Sequence, residues 1–470
     1  QVIATFRLLP KESVELYVGL SCVSEENARD NLEHDFTGDG FDHFRREAEQ
    51  RWRQVLSRVR VKGGTPAECA NFYTALYHSF LTPNLVSDAN GDYRRHDMKT
   101  GKVDGRRKQY STFSLWDTFR AWHPLMTLLD TTLVGDMVNS MLNIYDVTGE
   151  LPIWSLSSGE TNTMIGYHAV SVIADAYLKG IRSFDARQAL EAMTRSAEKN
   201  AKGAAYYTRY GFIPSDLRRE SVSCLLEFAY DDWCISRLAT ALGESETARR
   251  FALRAGNYAN VFDGSGRFFR PKRLDGNWEP AFDPCRVGRA YTEANAWQYR
   301  FFVPHDVRGM IQLYGGEAMF LADLDSLFHV FLLADWVWFG TGMGKFSVQR
   351  LLSLRSNWND SFRLDYGLCG QHLFEFFAVS GVCSAVSGFS GDAVLYIAGE
   401  NEMARMAGCG VFSIGISAEQ LVGKAGNSLC FCQYFVVLRK RFLAVFPESD
   451  SAVSVSKKDE VSSAKRGESQ

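Results

Sequence analysis

The sequence predicts a mainly α-helical protein built from paired helices, on three observations. Many successive stretches of roughly 12 to 20 residues carry apolar residues three or four positions apart, the spacing of one helix face. The loops between them contain Gly, Pro, Asn and Asp, and no strand patterns are interleaved. No short exact repeat occurs, which favours a closed toroid of helical hairpins over a solenoid.

The elements follow in order along the chain. VELYVGLSCV alternates apolar and polar residues, so residues 1–25 are predicted to be the end of a β-domain. FDHFRREAEQRWRQVLSRVRV repeats apolar residues at helical spacing, so residues 26–60 are predicted to be a helical linker. In the main helical domain, residues 61–328, helices are expected at 69–81, 115–129, 132–145, 165–180, 185–201, 221–242 and 245–262.

Composition excludes several classes of function. The net charge of −3 over 470 residues, without a basic block before residue 330, argues against nucleic acid as a partner. The ten cysteines include no CxxC pair, so structural zinc is not expected. No uncharged apolar run reaches the roughly 18 residues of a membrane span. The first residues carry no basic-then-apolar leader, which leaves secretion undecided.

Four segments place polar groups among aromatic residues, at helix starts or in the loops before them. Aromatic faces cover the apolar side of a sugar ring, while carboxylates and amides bond its hydroxyls. Each segment also has a structural reading: Asp117 and Arg120 have the spacing of a helical ion pair, and Glu293 could be a hydrogen-bonded core acid. The segments are 110–125 (Trp116, Asp117, Arg120), 151–168 (Trp154, Glu160, His168), 210–234 (Asp216, Asp231, Asp232) and 290–307 (Glu293).

Together these motifs resemble glycoside hydrolase family 92. The resemblance rests on SLWDTFRAWHPL, LPIWSLSSGETNTMIGYHAVSVIADAY, GFIPSD with SVSCLLEFAYDDWC, and YTEANAWQYRFFVPHDVRGMIQLYGG, in that order, and covers about residues 13–328. It implies an (α/α)6 toroid, here incomplete, preceded by the end of a β-sandwich domain. It also implies calcium-assisted cleavage of α-linked mannose with inversion.

The resemblance assigns roles to individual residues. Glu293, in YTEANAWQY, matches the family's general acid, and its apolar surroundings would raise the pKa of the carboxyl. Asp117, beside Trp116, matches a mannose contact. Ala294 stands where the family usually has glycine, and its methyl group would crowd the turn if its φ were positive. The predicted substrate-binding residues are Trp116, Asp117, Arg120, Glu160, Trp297 and His305.

The resemblance stops near residue 329. The family motifs HGNEPSHH, with substrate and calcium contacts, and GNEDCGQMSAW, with the catalytic base, are absent, and YGLCGQ lacks the acidic pair of the second. No calcium ligands are therefore identified in this chain. Residues 329–450 are interpreted as a divergent or frame-shifted tail, and the polar residues 451–470 as disordered.

Two hypotheses from different classes follow. In the first, the chain is an inverting α-mannosidase, of α-1,2 linkage by resemblance, with activity impaired by the missing base and calcium motifs. In the second, it is a non-catalytic carbohydrate-binding or degenerate fragment of such an enzyme. A glucoside-cleaving (α/α)6 enzyme is disfavoured by the motif match. The implied partner is a mannose-containing glycan such as an N-glycan, and the implied location is secreted, periplasmic or on the cell surface; the oligomeric state is left open.

Overall fold

The computed structural model describes residues 15–36, 40–199 and 202–329, together with two later strands. Helices dominate this part, as predicted. The helices are α1 (Glu25–Asp35), α2 (Phe41–Leu56), α3 (Pro66–His78), α4 (Leu115–Thr118), α5 (Trp122–Leu129), α6 (Thr131–Thr148), α7 (Ala169–Leu178), α8 (Ala186–Lys199), α9 (Ala204–Tyr210), α10 (Ser221–Leu242), α11 (Ser245–Ala255), α12 (Ala296–Tyr299), α13 (Val307–Leu313) and α14 (Glu317–His329), with a 3₁₀ turn at Gly256–Val261.

The strands are short and lie between or beside the helices. A three-stranded antiparallel sheet in the order β7-β8-β9 is the largest, and the remaining strands form pairs, including β1 with β13 and β2 with β12. The strands are β1 (Leu16–Ser21), β2 (Val59–Arg60), β3 (Asn84–Leu85), β4 (Asp92–Arg94), β5 (Thr100–Lys102), β6 (Tyr110–Ser111), β7 (Phe113–Ser114), β8 (Trp154–Leu156), β9 (Gly159–Glu160), β10 (Phe262–Asp263), β11 (Phe268–Phe269), β12 (Tyr396–Ile397) and β13 (Phe435–Lys440).

Helix α10 is the centre of the helical domain. Its 22 residues are buried on most sides, and it packs against α7, α8 and α11. A helix that is apolar nearly all round belongs inside a domain, and the run SVSCLLEFAYDDWCISRL has that character. Gly243 ends the helix in the left-handed conformation, with φ of 79°. Elements that contact α10 therefore share one core.

Buried ion pairs attach the peripheral elements to this core. Arg58, just after α2, donates to Asp130 at 2.8 Å, and both side chains are at most 9% exposed. Asp130 is also the N-cap of α6, where it accepts a bond from the Leu133 amide at 2.9 Å. Asp323 in α14 receives the guanidinium groups of Arg267 and Arg300. The linker and the last described helix are both fixed by charge as well as by apolar contact.

The predicted helices are confirmed, with local differences. The predicted helix at 115–129 is two helices, because the chain turns at Phe119–Ala121; Pro124, which lacks an N–H, is tolerated in the first turn of α5. The predicted linker contains α1 and α2 rather than one continuous helix. Helices α9, α12, α13 and α14 were not among the predicted ones, the predicted helix at 245–262 is α11 followed by the 3₁₀ turn, and the short strands between the helices correct the expectation that no strands are interleaved. Closure into a six-hairpin toroid, the β-sandwich and the domain boundaries stay predictions.

Some predictions concern residues outside the described part. These are the β-domain residues 1–14, the tail between 330 and 450 apart from β12 and β13, and the disorder predicted for 451–470. Within the described residues, no helix combines the length and apolar character needed to cross a bilayer.

Asp136, in the middle of α6, generates a prediction about stability. Only 7% of this residue is exposed, and burial raises the pKa of its carboxyl to about 6. The folded state therefore holds the proton more tightly than the unfolded chain does, so this group favours folding at low pH and loses that contribution as the pH rises from about 4 to about 6. In Asp136→Asn the group no longer titrates. The variant should match the wild type near pH 4 and exceed its free energy of unfolding by up to about 3 kcal/mol at pH 7.

Urea denaturation at several pH values measures this difference. Asp30→Asn, at an exposed position of α1, is the control and should give a difference of unfolding free energy that changes little with pH. A difference for Asp136→Asn that stays constant from pH 4 to 7 would contradict the assignment.

Candidate active site

Glu293 lies in a segment that is bonded to the start of α10. The Val222 amide donates to the Ala290 carbonyl at 3.1 Å. The Ser223 hydroxyl meets the Thr292 hydroxyl at 2.9 Å and accepts from the Thr292 amide at 3.0 Å. Glu293 follows with φ of 49°, in the left-handed region, and its side chain is exposed. These hydrogen bonds fix residues 290–292, so the Glu293 carboxyl is held at the surface near the first turn of α10.

The strained position in this turn is Glu293 and not Ala294. Sequence reasoning located the steric question at Ala294, but that residue is absent from the left-handed positions of the described chain, and it is buried at 5% exposure. A left-handed non-glycine residue is uncommon, and such residues concentrate at functional sites. The alanine methyl group is accommodated in the core, while the backbone strain falls on the candidate acid.

Three carboxylates share this part of the surface. The pKa of Glu293 is raised above its ordinary value, first by partial burial and then by the charges of Asp117 and Glu220. Within the described residues, the Glu293 carboxyl receives no hydrogen bond that would favour its ionised form. Glu220 precedes α10 and is also left-handed, with φ of 58°. The charge of Asp117 therefore acts on Glu293 across 176 positions of sequence, and the convergence of Trp116, Asp117, Glu160 and Glu293 on one pocket stays a prediction.

Trp116 and Asp117 are presented by the short helix α4. Asp117 is exposed and accepts a bond from the Ser114 hydroxyl. Trp116 is half-buried, and its indole N–H donates to Glu227 of α10 at 3.1 Å. The carboxylate thus faces solvent beside an aromatic ring whose N–H is bonded to the core. This is the combination that the sequence predicts for binding a sugar.

The β7-β8-β9 sheet brings Glu160 and Trp154 to the same region. Ser114 of β7 pairs with Trp154 of β8, and Ser155 pairs with Glu160 of β9. The Glu160 carboxylate accepts three backbone amides, from Ile153 and Trp154 at 2.9 Å and from Asn162 at 2.8 Å. Most of its hydrogen-bonding capacity is therefore used within its own loop. The geometry favours Glu160 as the organiser of this loop, which carries the half-buried Trp154.

Arg120 is buried, contrary to what a direct substrate contact would need. Its side chain is 1% exposed and donates to Glu227, which is 0% exposed, at 3.0 Å. The rings of Phe119 and Phe302 lie 4.7 and 5.1 Å from the guanidinium carbon. These rings cover the guanidinium group. A ligand could reach the guanidinium group only if these rings moved. Arg120 therefore supports the site from its core side.

Asp231 and Asp232 are occupied by structural contacts. Asp231 accepts from the Tyr167 amide and lies 2.8 Å from the imidazole Nδ1 of His168. Asp232 accepts from the Tyr167 hydroxyl and from Arg254, each at 2.7 Å. Both carboxylates are 0% exposed. Neither can activate a water at the surface.

Asp216 is exposed and accepts from the Leu274 amide of the long loop.

Trp297 and His305 are not brought to the three carboxylates by any contact in the described residues. The Trp297 ring packs on Phe268, with centroids 5.0 Å apart, and beneath the Arg300 guanidinium. His305 lies 3.0 Å from the Ala255 carbonyl among aromatic rings, and burial lowers the pKa of its imidazole. Both residues therefore contribute to the packing behind the site. Their predicted contact with substrate stays a prediction.

Two residues of the site were missed by the sequence reasoning, Glu220 and Glu227. Glu220 precedes an apolar helix, where an acidic residue is common. Glu227 had a usable signal: it lies four residues before Asp231, on the same face of a helix that is otherwise apolar. A carboxylate pair at that spacing inside a buried helix requires partners from elsewhere in the fold.

Calcium does not fit the residues that the structure describes. Ca²⁺ binds six to eight oxygen atoms in one cage. No group of three or more His, Cys, Asp or Glu side chains in the described ranges is arranged to hold a metal ion. Asp117, Glu220 and Glu293 affect one another electrostatically without forming such a cage.

Comparison with known proteins places these features in a family. The model of the glycosyl hydrolase family 92 catalytic domain matches residues 27–345, about two thirds of the chain. The match begins later and ends later than the predicted limits of 13 and 328. A protein from Arthroderma benhamiae described as an uncharacterized secreted glycosidase is 28% identical over 358 residues, 67% of this chain and 42% of its own length.

Solved structures agree with the family match. The GH92 α-mannosidase BT3965 from Bacteroides thetaiotaomicron is 38% identical with a TM-score of 0.63, over 66% of this chain and 42% of that protein. The GH92 inverting mannosidase BT2199 from the same organism is 32% identical with a TM-score of 0.63, over 71% and 46%. The chain therefore spans less than half the length of these relatives. This chain belongs to glycosyl hydrolase family 92, whose catalytic-domain model its residues 27–345 match.

Proposed function

We propose that this protein binds the terminal residue of an α-linked mannose glycan and that Glu293 is the proton donor in its hydrolysis. The observation that carries the proposal is the environment of Glu293: an exposed carboxyl, free of hydrogen bonds in the described residues, whose pKa is raised by partial burial and two neighbouring carboxylates. A general acid must be protonated near the working pH, and a raised pKa serves that role. A second structure of BT3965, a complex with mannoimidazole that aligns with this chain at 37% identity, supports mannose as the sugar.

The surroundings of Glu293 supply the groups that a neutral sugar needs. Trp116 and Trp154 are half-buried, so part of each indole remains open to cover the apolar side of a pyranose ring. Asp117 and Glu220 are carboxylates able to accept bonds from hydroxyl groups, bonds that charge strengthens. Their negative charge also holds the proton on Glu293. Binding and acid function would thus depend on the same two neighbours.

Inversion requires a second carboxylate that activates water, roughly 6.5–9.5 Å from the acid. Asp231 and Asp232 are excluded by burial, and the sequence lacks the acidic pair of the family's base motif. This chain would therefore bind the sugar and donate the proton, and its hydrolysis should be slow. Inversion is proposed by analogy with the inverting mannosidase BT2199, and secretion by analogy with the secreted glycosidase of Arthroderma benhamiae. The α-1,2 linkage and N-glycans as substrates are proposed from the resemblance of the motifs.

The alternative function is carbohydrate binding without hydrolysis. It is favoured by the same missing base motif. Isothermal titration with methyl α-mannoside, alongside hydrolysis of 4-nitrophenyl α-mannoside with and without added calcium, separates the two. Binding with slow hydrolysis supports the enzyme, and binding alone supports the non-catalytic alternative. Absence of binding would overturn both.

Asp117→Asn should weaken binding of methyl α-mannoside about 10- to 100-fold, the size of one hydrogen bond to a charged group. The amide keeps the volume of the side chain and its contact with Ser114, so the fold should persist. Titration calorimetry measures the affinity, with Asp30→Asn on α1 as a control expected to bind like the wild type. Unchanged affinity in Asp117→Asn would remove Asp117 from the sugar site.

Glu293→Gln should reduce hydrolysis of an alkyl α-mannoside by about 10²–10⁴, because the amide cannot donate the proton that the leaving group needs. An activated phenol leaving group needs little protonation, so the loss on 4-nitrophenyl α-mannoside should be much smaller. Methyl α-mannoside should still bind within about threefold of the wild type, since an amide can replace the neutral acid. Initial rates on both substrates measure the contrast.

The pH dependence offers a second measurement of the same role. Wild-type activity on the alkyl mannoside should fall as the pH rises through the raised pKa of Glu293, and Glu293→Gln should lack that fall. Glu246→Gln, exposed at the start of α11, is the matched control and should behave like the wild type on both substrates. Equal losses on the two leaving groups in Glu293→Gln would mean that Glu293 binds sugar but does not donate the proton.

A further inference from the structure

Glu227 is a buried carboxylate that gathers donors from three separate parts of the chain. Its Oε1 atom accepts from the Trp116 indole at 3.1 Å, from Arg120 at 3.0 Å and from the Tyr299 hydroxyl at 3.3 Å. Its Oε2 atom lies 3.3 Å from the imidazole Nε2 of His168. Glu227 itself is 0% exposed. It cannot touch a ligand, so any functional role must act through these partners.

The donors belong to the segments that carry the candidate site. Trp116 immediately precedes Asp117 on α4, and Tyr299 ends the short helix α12, six positions after Glu293. One carboxylate on α10 therefore joins the segment of the predicted sugar-binding ring to the segment of the predicted acid. The His168 side of the carboxylate is fixed in turn, because the other imidazole nitrogen lies 2.8 Å from Asp231.

The contact to Trp116 has a specific consequence for its ring. A half-exposed indole can rotate about two side-chain bonds, and stacking on a sugar needs one ring plane. The N–H points into the core and is bonded to a charge, which makes the bond stronger than one to a neutral acceptor. The indole is thus held by its buried edge while part of its surface stays open.

We propose that Glu227 is a positioning residue, which fixes the plane of the Trp116 ring for stacking on the sugar and sets the place of this ring relative to the Glu293 segment. The inference rests on the proposed function for the sugar and on the described contacts for the positioning. The competing explanation is that Glu227 only balances the charge of Arg120 in the core. The two explanations differ in what happens to ligand affinity in protein that remains folded.

The test compares Glu227→Gln, Trp116→Phe and the double variant, with Asp232→Asn as the matched control. Asp232 is a second buried carboxylate of α10 that bonds Tyr167 and Arg254 and has no bond to Trp116. Each full-length protein is titrated with methyl α-mannoside well below its melting temperature. Glu227→Gln should bind about tenfold more weakly, because a neutral amide oxygen holds the indole N–H less firmly, whereas Asp232→Asn should stay within about twofold.

The double variant tests whether Glu227 acts through Trp116. Phenylalanine keeps an aromatic ring but has no N–H, so the contact with Glu227 is already lost in Trp116→Phe. Adding Glu227→Gln to that variant should then weaken binding by no more than about twofold, the non-additivity expected of residues in contact. Full additivity, or equal losses in Glu227→Gln and Asp232→Asn, would overturn the proposal in favour of a purely structural role.

A ligand-free measurement separates failure of this inference from failure of the proposed function. The emission of Trp116 is obtained as the difference between each protein and its Trp116→Phe counterpart, since nine other tryptophans contribute to both. Its wavelength should shift in the Glu227→Gln background and not in the Asp232→Asn background. If the wild type bound no mannoside, the proposed function would fall, while the emission would still decide whether Glu227 positions the ring. An unshifted emission would overturn the positioning role.

Discussion

The burial of charge on α10 is the constraint on which the rest of the structure depends. Glu227, Asp231 and Asp232 are carboxylates with no exposure on a helix whose other buried residues are mainly apolar. An unpaired charge in such a place is very costly, so the fold must supply partners for all three. The partners come from different segments: Arg120 and Trp116 from around α4, His168 and Tyr167 from before α7, Arg254 from α11 and Tyr299 from α12. Pairing the buried carboxylates of α10 thereby fixes the positions of α4, α7, α11 and α12 relative to one another.

The exposed end of the same helix shows the opposite arrangement. There the charges of Asp117 and Glu220 raise the pKa of the Glu293 carboxyl, and Lys202 is a cation whose charge acts on Glu220. Two of the three carboxylates have left-handed backbones, a conformation that persists only when the surroundings enforce it. The enforcement comes from the bonds between residues 290–292 and the first turn of α10. The contacts of the buried carboxylates thus hold in place a surface cluster whose negative charges act on one another.

The sequence predicted the elements better than the contacts between them. The long helix at 221–242 was predicted with its observed bounds, because a run of apolar residues ending in glycine leaves few alternatives. The predicted convergence of Asp117 and Glu293 came from the resemblance and not from periodicity, and it stays a prediction apart from the effect of the Asp117 charge on the pKa of Glu293. The burial of Arg120 was not foreseen, because an i,i+3 spacing describes only a helix surface, and its partner Glu227 lies 107 positions away. Likewise the strain expected at Ala294 occurs one residue earlier, a difference that only backbone geometry can reveal.

Trp116 and Trp154 are the two rings proposed to stack on a sugar. A carboxylate holds each of them, but it bonds a different group of the tryptophan in the two cases. Glu227 holds Trp116 through the side-chain N–H, which restrains the ring itself. Glu160 holds Trp154 through the backbone amide and binds two further amides of the same loop, which restrains the loop and leaves the ring to its packing. A sugar that contacts both rings would therefore meet the Trp116 ring in a fixed plane and the Trp154 ring with some freedom to rotate. The first suits recognition of the residue beside Glu293, since proton donation requires a defined geometry. The Trp154 ring suits the neighbouring part of a glycan, where a looser fit is tolerated. The different roles of the two rings would follow from the different bonds that Glu227 and Glu160 make to them.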